Sequence, residues 1–238
     1  MKIALIGYGK MGKEIGQIAL QRGHEVVARI HSGNAASFTA KSLAGAEAAI
    51  EFTRPEHAVA NIFTCFDAHV PVVVGTTGWL QRLDEVKQRC ADTGQGLFYA
   101  SNFSVGVNIF FQVNKFLAKI MDRYPEYEIS LEEIHHIHKL DAPSGTGLTL
   151  ASQVLEHIRR KEKWVNAPSS SANELALVSK REGEVPGTHI VDYDSPVDRI
   201  EIRHVAHNRK GFALGAVLAA EFMKGKKGVY GMEDLLKL

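Results

Sequence analysis

Cysteine is scarce in this chain. Cys65 and Cys90 are the only two among 238 residues, and no paired spacing links them. That excludes a disulfide-stapled scaffold and fits a reducing compartment. Long apolar runs are missing as well: no stretch approaches the roughly 18 residues that span a bilayer. The chain opens directly into MKIALIG, whose single lysine and short apolar run do not make a secretory signal. An excess of one charge is also absent. Lys and Arg number 28 against 27 Asp and Glu, net +1, so no overall field draws nucleic acid or an acidic membrane. Any selectivity for anions must then come from local groups. Internal repeats and low-complexity tracts are lacking too. The expectation is a soluble, cytoplasmic globular protein.

What is present suits two domains. A content of 45% hydrophobic and 23% charged residues can bury a sizeable core, and 238 residues exceed the usual single domain of roughly 100–200. The first part alternates strand and helix. Ile3–Ile6 is an apolar run ending in glycine, and Met11, Ile15, Ile18 and Ala19 follow at helical spacing with Gly23 as a stop. Glu25–Ile30 and Ala48–Phe52 read as strands, Pro55 opens a helix to about Phe66, and Val70–Val74 suits a strand covered on both faces. Leu80, Leu83, Val86 and Cys90 mark another helix, and Leu97–Ala100 closes the series. The pattern predicts a Rossmann-type, doubly wound parallel sheet. After Asn102 it changes: a long amphipathic helix over Val105–Met121, then strands near Tyr127–His136, Ala176–Arg181, His189–Tyr193 and Arg199–Val205, with one helix near Gly145–Arg160. That is an α+β layout with a mostly open, mixed sheet. A last helix, Phe212–Met223, is expected to return to the first domain. The predicted division is therefore 1–102 plus 207–238 for dinucleotide binding and 103–206 for substrate binding, with hinges near Asn102 and Val205.

Gly7-Tyr8-Gly9-Lys10-Met11-Gly12 is a G-x-G-x-x-G between a strand and a helix, the context that gives the motif meaning. Gly7 permits the tight turn, Gly9 lets backbone approach a pyrophosphate, and Gly12 allows close helix–strand packing, with the helix N-terminus facing the phosphates. A ligand-free glycine turn is the plainer alternative. The acidic residue usual about 20 positions on is missing. The second strand ends Arg29-Ile30-His31-Ser32, where Arg29, His31 and Ser32 suit a 2′-phosphate and tilt the expectation from NADH towards NADPH. On the same sheet edge stand Arg54 within Phe52–Pro55 and the turn Gly75-Thr76-Thr77-Gly78, suited to the nicotinamide. Ala100-Ser101-Asn102-Phe103 lies at the domain boundary, where a hinge and a cofactor contact can coincide.

The most informative stretch is Glu133–Gly147, EIHHIHKLDAPSGTG. It ends a strand, crosses a turn and enters a helix capped by Ser144, where Ser144, Gly145 and Thr146 are candidate substrate contacts and Gly145, Thr146 and Gly147 offer N–H groups to a carboxylate. Lys139 adds a charge-assisted partner. Three uses compete. Metal binding is weakened because, on a strand, His136 and His138 share a face while His135 points away, and no Asp, Glu or Cys at ligand spacing completes a set. A polar loop at an interface is the plain alternative. Acid–base chemistry with anion binding uses the histidines and the lysine together.

The segment is similar to the E-x-H-H-x-x-K-x-D-A-P-S-G-T signature of the 4-hydroxy-tetrahydrodipicolinate (dihydrodipicolinate) reductases. The glycine turn at Gly7, GTTG at Gly75 and SNFSVGVN over Ser101–Asn108 match the same family in the same order. The resemblance implies hydride transfer from NADPH or NADH to a cyclic dicarboxylate imine in lysine biosynthesis. It implies His135 and Lys139 as proton donors, with His136, Gly145 and Thr146 on the substrate. It also implies Gly7–Gly12, Gly75–Thr77 and Ala100–Phe103 on the cofactor, and a homotetramer built through the second-domain sheets, which adds oligomerisation to that domain's role. The chain departs from the family's acidic positions near His31 and Ser32. Other dehydrogenases of aspartate or sugar type explain the first domain equally well but do not predict the histidine segment. A non-catalytic NAD(P)H sensor is disfavoured by the histidine cluster and by the absence of a DNA-reading helix or basic patch from this sequence.

Overall fold

The computed structural model describes residues 1–208 and 210–238. The chain divides into two compact units, one comprising Met1–Val105 with the segment from Lys210 to Leu238, the other the stretch between them. In the first unit strands and helices alternate: β1 (Lys2–Ile6), α1 (Lys10–Gln21), β2 (Glu25–Ile30), β3 (Ala48–Glu51), α2 (Pro55–Asp67), β4 (Val72–Val74), α3 (Leu83–Thr93) and β5 (Gly96–Tyr99). Every residue of β3 and β4 is buried. A strand covered on both faces has no polar alternation, which is why β4 reads as an unbroken apolar run and β3 does so up to Glu51. Leu80, assigned by periodicity to a helix, instead lies in a separate 3₁₀ turn, Leu80–Arg82, that leads into α3.

The second unit holds α4 (Val105–Met121), β6 (Glu128–His135), α5 (Gly145–His157), β7 (Lys163–Val165), β8 (Glu174–Arg181), β9 (Thr188–Asp194) and β10 (Arg199–Val205). Its sheet runs β10-β9-β6-β8-β7. The pairs β6–β8 and β8–β7 are parallel, while β6–β9 and β9–β10 are antiparallel. Along β6, Ile129, Leu131, Glu133 and His135 are buried while the residues between them are half-buried. Ile129 and Leu131 join Leu150, Val154, Leu177, Val191 and Tyr193 in one apolar core under α4 and α5. The same face thus carries a polar pair, Glu133 and His135, at the carboxyl end of the strand. Periodicity does not reveal β7, whose three residues are too few to alternate.

The tail supplies α6 (Lys210–Met223), β11 (Gly228–Tyr230) and α7 (Met232–Leu236). Ala213, Ala216, Val217 and Ala220 of α6 enter the core formed by Ile3, Leu5, Ile50 and Phe98. Strand β11 pairs with β5 and completes the order β11-β5-β4-β3-β1-β2, parallel throughout. The chain leaves β1 towards β2 and returns on the other side of β1 with β3. The crevice beyond the carboxyl ends at such a reversal is where open α/β sheets take their ligands.

Candidate active site

At that reversal the glycine turn is built as its spacing demands. Gly7 follows β1 with φ +97°, and a Cβ there would stand 2.0 Å from the Phe52 carbonyl oxygen. Only glycine fits. Gly9 caps α1 with no side-chain hydrogen bond, and nothing lies within 4 Å of the Cβ it lacks. The first-turn N–H groups of α1 have no partner within the helix, and no acidic residue stands in that turn. This is an open cradle for a phosphate. Beside it a cavity of about 230 Å³ is lined by Met11, Phe52, Thr53, Pro55, Gly75, Thr76 and Thr77. Gly75, Thr76 and Thr77 from the sequence reading therefore meet Met11 of the glycine turn, and Phe52, Thr53 and Pro55 join them.

The other expected cofactor residues are distributed around this edge. Tyr8 takes the Arg29 guanidinium over its ring at 5.6 Å. Arg29 also donates to the Val26 carbonyl at 3.3 Å. His31 Nδ1 accepts from Gly33 N–H at 3.1 Å, which folds the turn containing exposed Ser32. Lys10 and Arg54 are exposed at the starts of α1 and α2. Ala100 is half-buried, Ser101 is exposed, and Asn102 accepts from Ser104 N–H at 2.9 Å. Phe103 is different: its ring is buried against Phe52 and Phe98, with centroids 5.7 and 5.8 Å away, so the side chain belongs to the core and offers no face to a ligand.

In the second unit, β6 stops at His135, and His136 to His138 lie in the following turn. The strand-based pairing of His136 with His138 against His135 therefore does not apply. His135 shares its face with Glu133 two residues earlier, as strand alternation requires. Glu133 is fully buried and binds the start of α5: Ser144 N–H donates to its two oxygens at 2.9 and 3.1 Å, and the Ser144 hydroxyl donates to it as well. Ser144 Oγ in turn caps α5 by accepting from Gly147 N–H at 3.0 Å. The cap is as expected, but a hydroxyl committed to Glu133 is not free for a substrate, which corrects the expected role of Ser144. Gly145 is exposed and Thr146 half-buried on the first turn of α5, which holds no acidic residue. Lys139 Nζ is held by Asp141 at 2.7 and 2.8 Å. Arg181, which periodicity alone does not single out, donates to the carbonyls of Lys139 at 3.2 Å and Asp141 at 2.5 Å and so fixes this turn.

A second histidine completes the cluster. His189 of β9 faces Glu133 at 3.7 Å and Ser144 Oγ at 3.3 Å, and its ring meets that of His135 edge-on at 5.1 Å. Burial pushes His189 down to about 3, with His135 adding to the effect. Burial likewise holds His135 below the ordinary imidazole range, opposed by the Glu133 carboxylate. The Lys139 hydrogen bond holds the Asp141 carboxyl below its usual range. No carboxylate at ligand spacing along the sequence completes a metal set, yet the fold brings Glu133, His135 and His189 together with donor atoms within 4.8 Å of one another. Both Glu133 oxygens already accept from Ser144, and the Arg181 guanidinium stands 3.7 Å from one of them. The group is read as a hydrogen-bonded network around Glu133 that holds the start of α5, with the His135 ring packed edge-on against His189.

Comparison with known proteins identifies the same two regions. Residues 1–103 match the family model described as dihydrodipicolinate reductase, N-terminus, and residues 106–236 the one described as its C-terminus. A 4-hydroxy-tetrahydrodipicolinate reductase of Christiangramia forsetii is 44% identical over 240 residues, covering 99% of this chain and 98% of that protein. One of Laribacter hongkongensis is 37% identical over 206 residues, 83% of this chain and 75% of its own length. Among solved structures, a dipicolinate-bound dihydrodipicolinate reductase from Paenisporosarcina sp. TG-14 shares the fold, with a TM-score of 0.77 at 21% identity and 98% of each chain covered.

Proposed function

The chain belongs to the dihydrodipicolinate reductase family, and from that premise we propose that it reduces 4-hydroxy-tetrahydrodipicolinate to tetrahydrodipicolinate in the diaminopimelate route to lysine. It is an NAD(P)H-dependent oxidoreductase. The reaction adds one hydride and one proton and releases one water. The bound nicotinamide supplies the hydride. The open cradle at Gly9 fits the pyrophosphate, and the cavity along Thr53 and Gly75–Thr77 suits the nicotinamide. No carboxylate ends β2 to repel a 2′-phosphate, and Arg29, His31 and Ser32 stand there instead, so NADPH is the favoured donor of the two.

The observation that carries the reading is the Glu133–Ser144 link. It ties the end of β6 to the start of α5 and so sets His135 near the first-turn N–H groups of Gly145 and Thr146, beside the Ser144 cap on Gly147. Gly145 and Thr146 take one substrate carboxylate at that helix start, with its partial positive charge. Lys139 and His136 take the other. Lys139 arrives paired with Asp141, so the substrate carboxylate shares its ammonium. Negative charge develops on the ring as hydride arrives, and His135 or Lys139 delivers the proton. Burial favours the neutral form of His135 in the free protein. A dianion bound beside it favours the imidazolium and so loads the proton where it is used.

The proposed setting is the cytoplasm. The proposed assembly is a homotetramer through the face of the second sheet opposite the helices, where register places Ile134, Val178 and Val205. The test couples the protein to a synthase that makes the substrate and follows the loss of reduced-nicotinamide absorbance with NADPH and NADH separately. Substrate-dependent oxidation is expected with both, faster with NADPH. No oxidation with either overturns the reading.

A further inference from the structure

Glu51 closes β3 at the carboxyl edge of the parallel sheet and is fully buried. Its Oε1 accepts from the Thr53 hydroxyl and, at 3.2 Å, from Asn61 Nδ2. Its Oε2 is buried with no hydrogen-bond partner among the described residues. Hydroxyl and amide donors of Thr53, Thr76 and Asn61 are what oppose the upward push of burial on this carboxyl, and no cation contributes. Burial raises this carboxyl while the donors at Oε1 counter it, so a cation arriving beyond those donors would favour its ionised form. Burying a charge without a partner destabilises the fold, so its position calls for a use.

The use is indicated by what stands in front of it. Thr53 N–H donates to Thr76 Oγ1 at 2.7 Å, and both threonines line the cavity assigned above to the nicotinamide. The carboxylate therefore lies one side chain behind the cavity wall. Hydride donation turns a neutral dihydropyridine into a pyridinium carrying one positive charge. We propose that Glu51 is the buried counter-charge for that pyridinium, a positioning residue that acts through Thr53 and Thr76 and makes the cavity favour the oxidised over the reduced cofactor. This rests on the nicotinamide reading of the cavity. A fixed charge in a water-poor site acts on a charge that appears only during reaction, so it assists hydride departure without tightening the reduced state.

The alternative is that Glu51 only pins the link between β3 and α2. Glu51→Gln keeps the shape and removes the charge. Dissociation constants for NADP⁺ and NADPH, measured separately by calorimetry on protein without substrate, distinguish the two, with Tm recorded alongside. Expected is a loss of NADP⁺ affinity on the order of tenfold, NADPH affinity unchanged, and Tm equal or higher. Glu51→Asp keeps the charge but draws it back by one methylene. It shifts the same ratio the same way by about two- to threefold, and it decides the matter if the glutamine variant does not fold. Equal weakening of both forms, or an unchanged ratio, overturns the proposal while leaving the cofactor reading intact. Wild-type protein that binds neither form overturns both.

Discussion

His135 and Lys139 are held in different ways, and their substitutions separate chemistry from fold. His135 is buried at a strand end, whereas Lys139 sits on a turn clamped by Asp141 and Arg181. His135→Ala is expected to lower kcat by about 10²–10⁴, the usual range for a lost acid–base group. Lys139→Ala is expected to lower it by about 10²–10³ as a donor to developing charge is removed. NADPH binding, measured by fluorescence, should survive both. His189 makes a different prediction. An unfolded histidine takes up its proton near pH 6.5, but folded His189 does so only near 3. Between those values the unfolded chain binds more protons, so stability falls as pH is lowered, by about 1.4 kcal/mol per pH unit from this residue. His189→Leu should flatten that slope in urea unfolding across the window. A residual slope should remain, because His135 and His204 are shifted in the same direction. The reactive segment was legible as a cluster of residue types in sequence, and Glu133 could have been linked to His135 by strand alternation. Arg181 and His189 could not, since they lie 48 and 56 residues beyond Glu133 along the chain and meet it only through the pairing of β8 and β9 with β6.

Elements were legible where burial is uniform or periodic over several residues. The helix α4 and the strand β10 have the bounds that their patterns predict. The three-residue strands β7 and β11 carry no period, and their pairing is set by the neighbouring strands β8 and β5. The turn from β1 to α1 is legible for another reason: its glycines are dictated by backbone geometry. That geometry separates two substitutions of the same kind. Gly7→Ala puts a methyl against the Phe52 carbonyl at 2.0 Å and at a positive φ, and should destabilise the fold by more than about 1 kcal/mol. Gly9→Ala meets nothing within 4 Å and has extended backbone, so Tm should hold while the KM for NADPH rises as the methyl enters the phosphate approach. Thermal melts and cofactor titrations of the two variants check the contrast. A fall in Tm for both, with no separate effect on NADPH, would mean that the turn serves packing alone.

The two units differ as whole molecules in how their cores are assembled along the chain. The second is continuous, and Ile129, Leu131, Leu150, Val154, Leu175, Leu177, Val191 and Tyr193 fill its core from within. The first is split: Ala213, Ala216, Val217, Ala219, Ala220 and Met223 pack against Ile3, Leu5 and Ile50 from the far end of the sequence. The alanines let α6 lie close on the sheet, and β11 then pairs with β5. Without that tail, one face of the parallel sheet and the edge of β5 would be bare, and an uncovered apolar sheet associates with other chains. A fragment of residues 1–105 should therefore aggregate or give no cooperative transition, whereas residues 1–105 joined by a flexible linker to 210–238 should melt cooperatively and bind NADPH. Far-UV circular dichroism with thermal melting and a cofactor titration compare the two. If the short fragment melted as sharply as the joined one, the tail would be a surface addition to the sheet instead of part of its core.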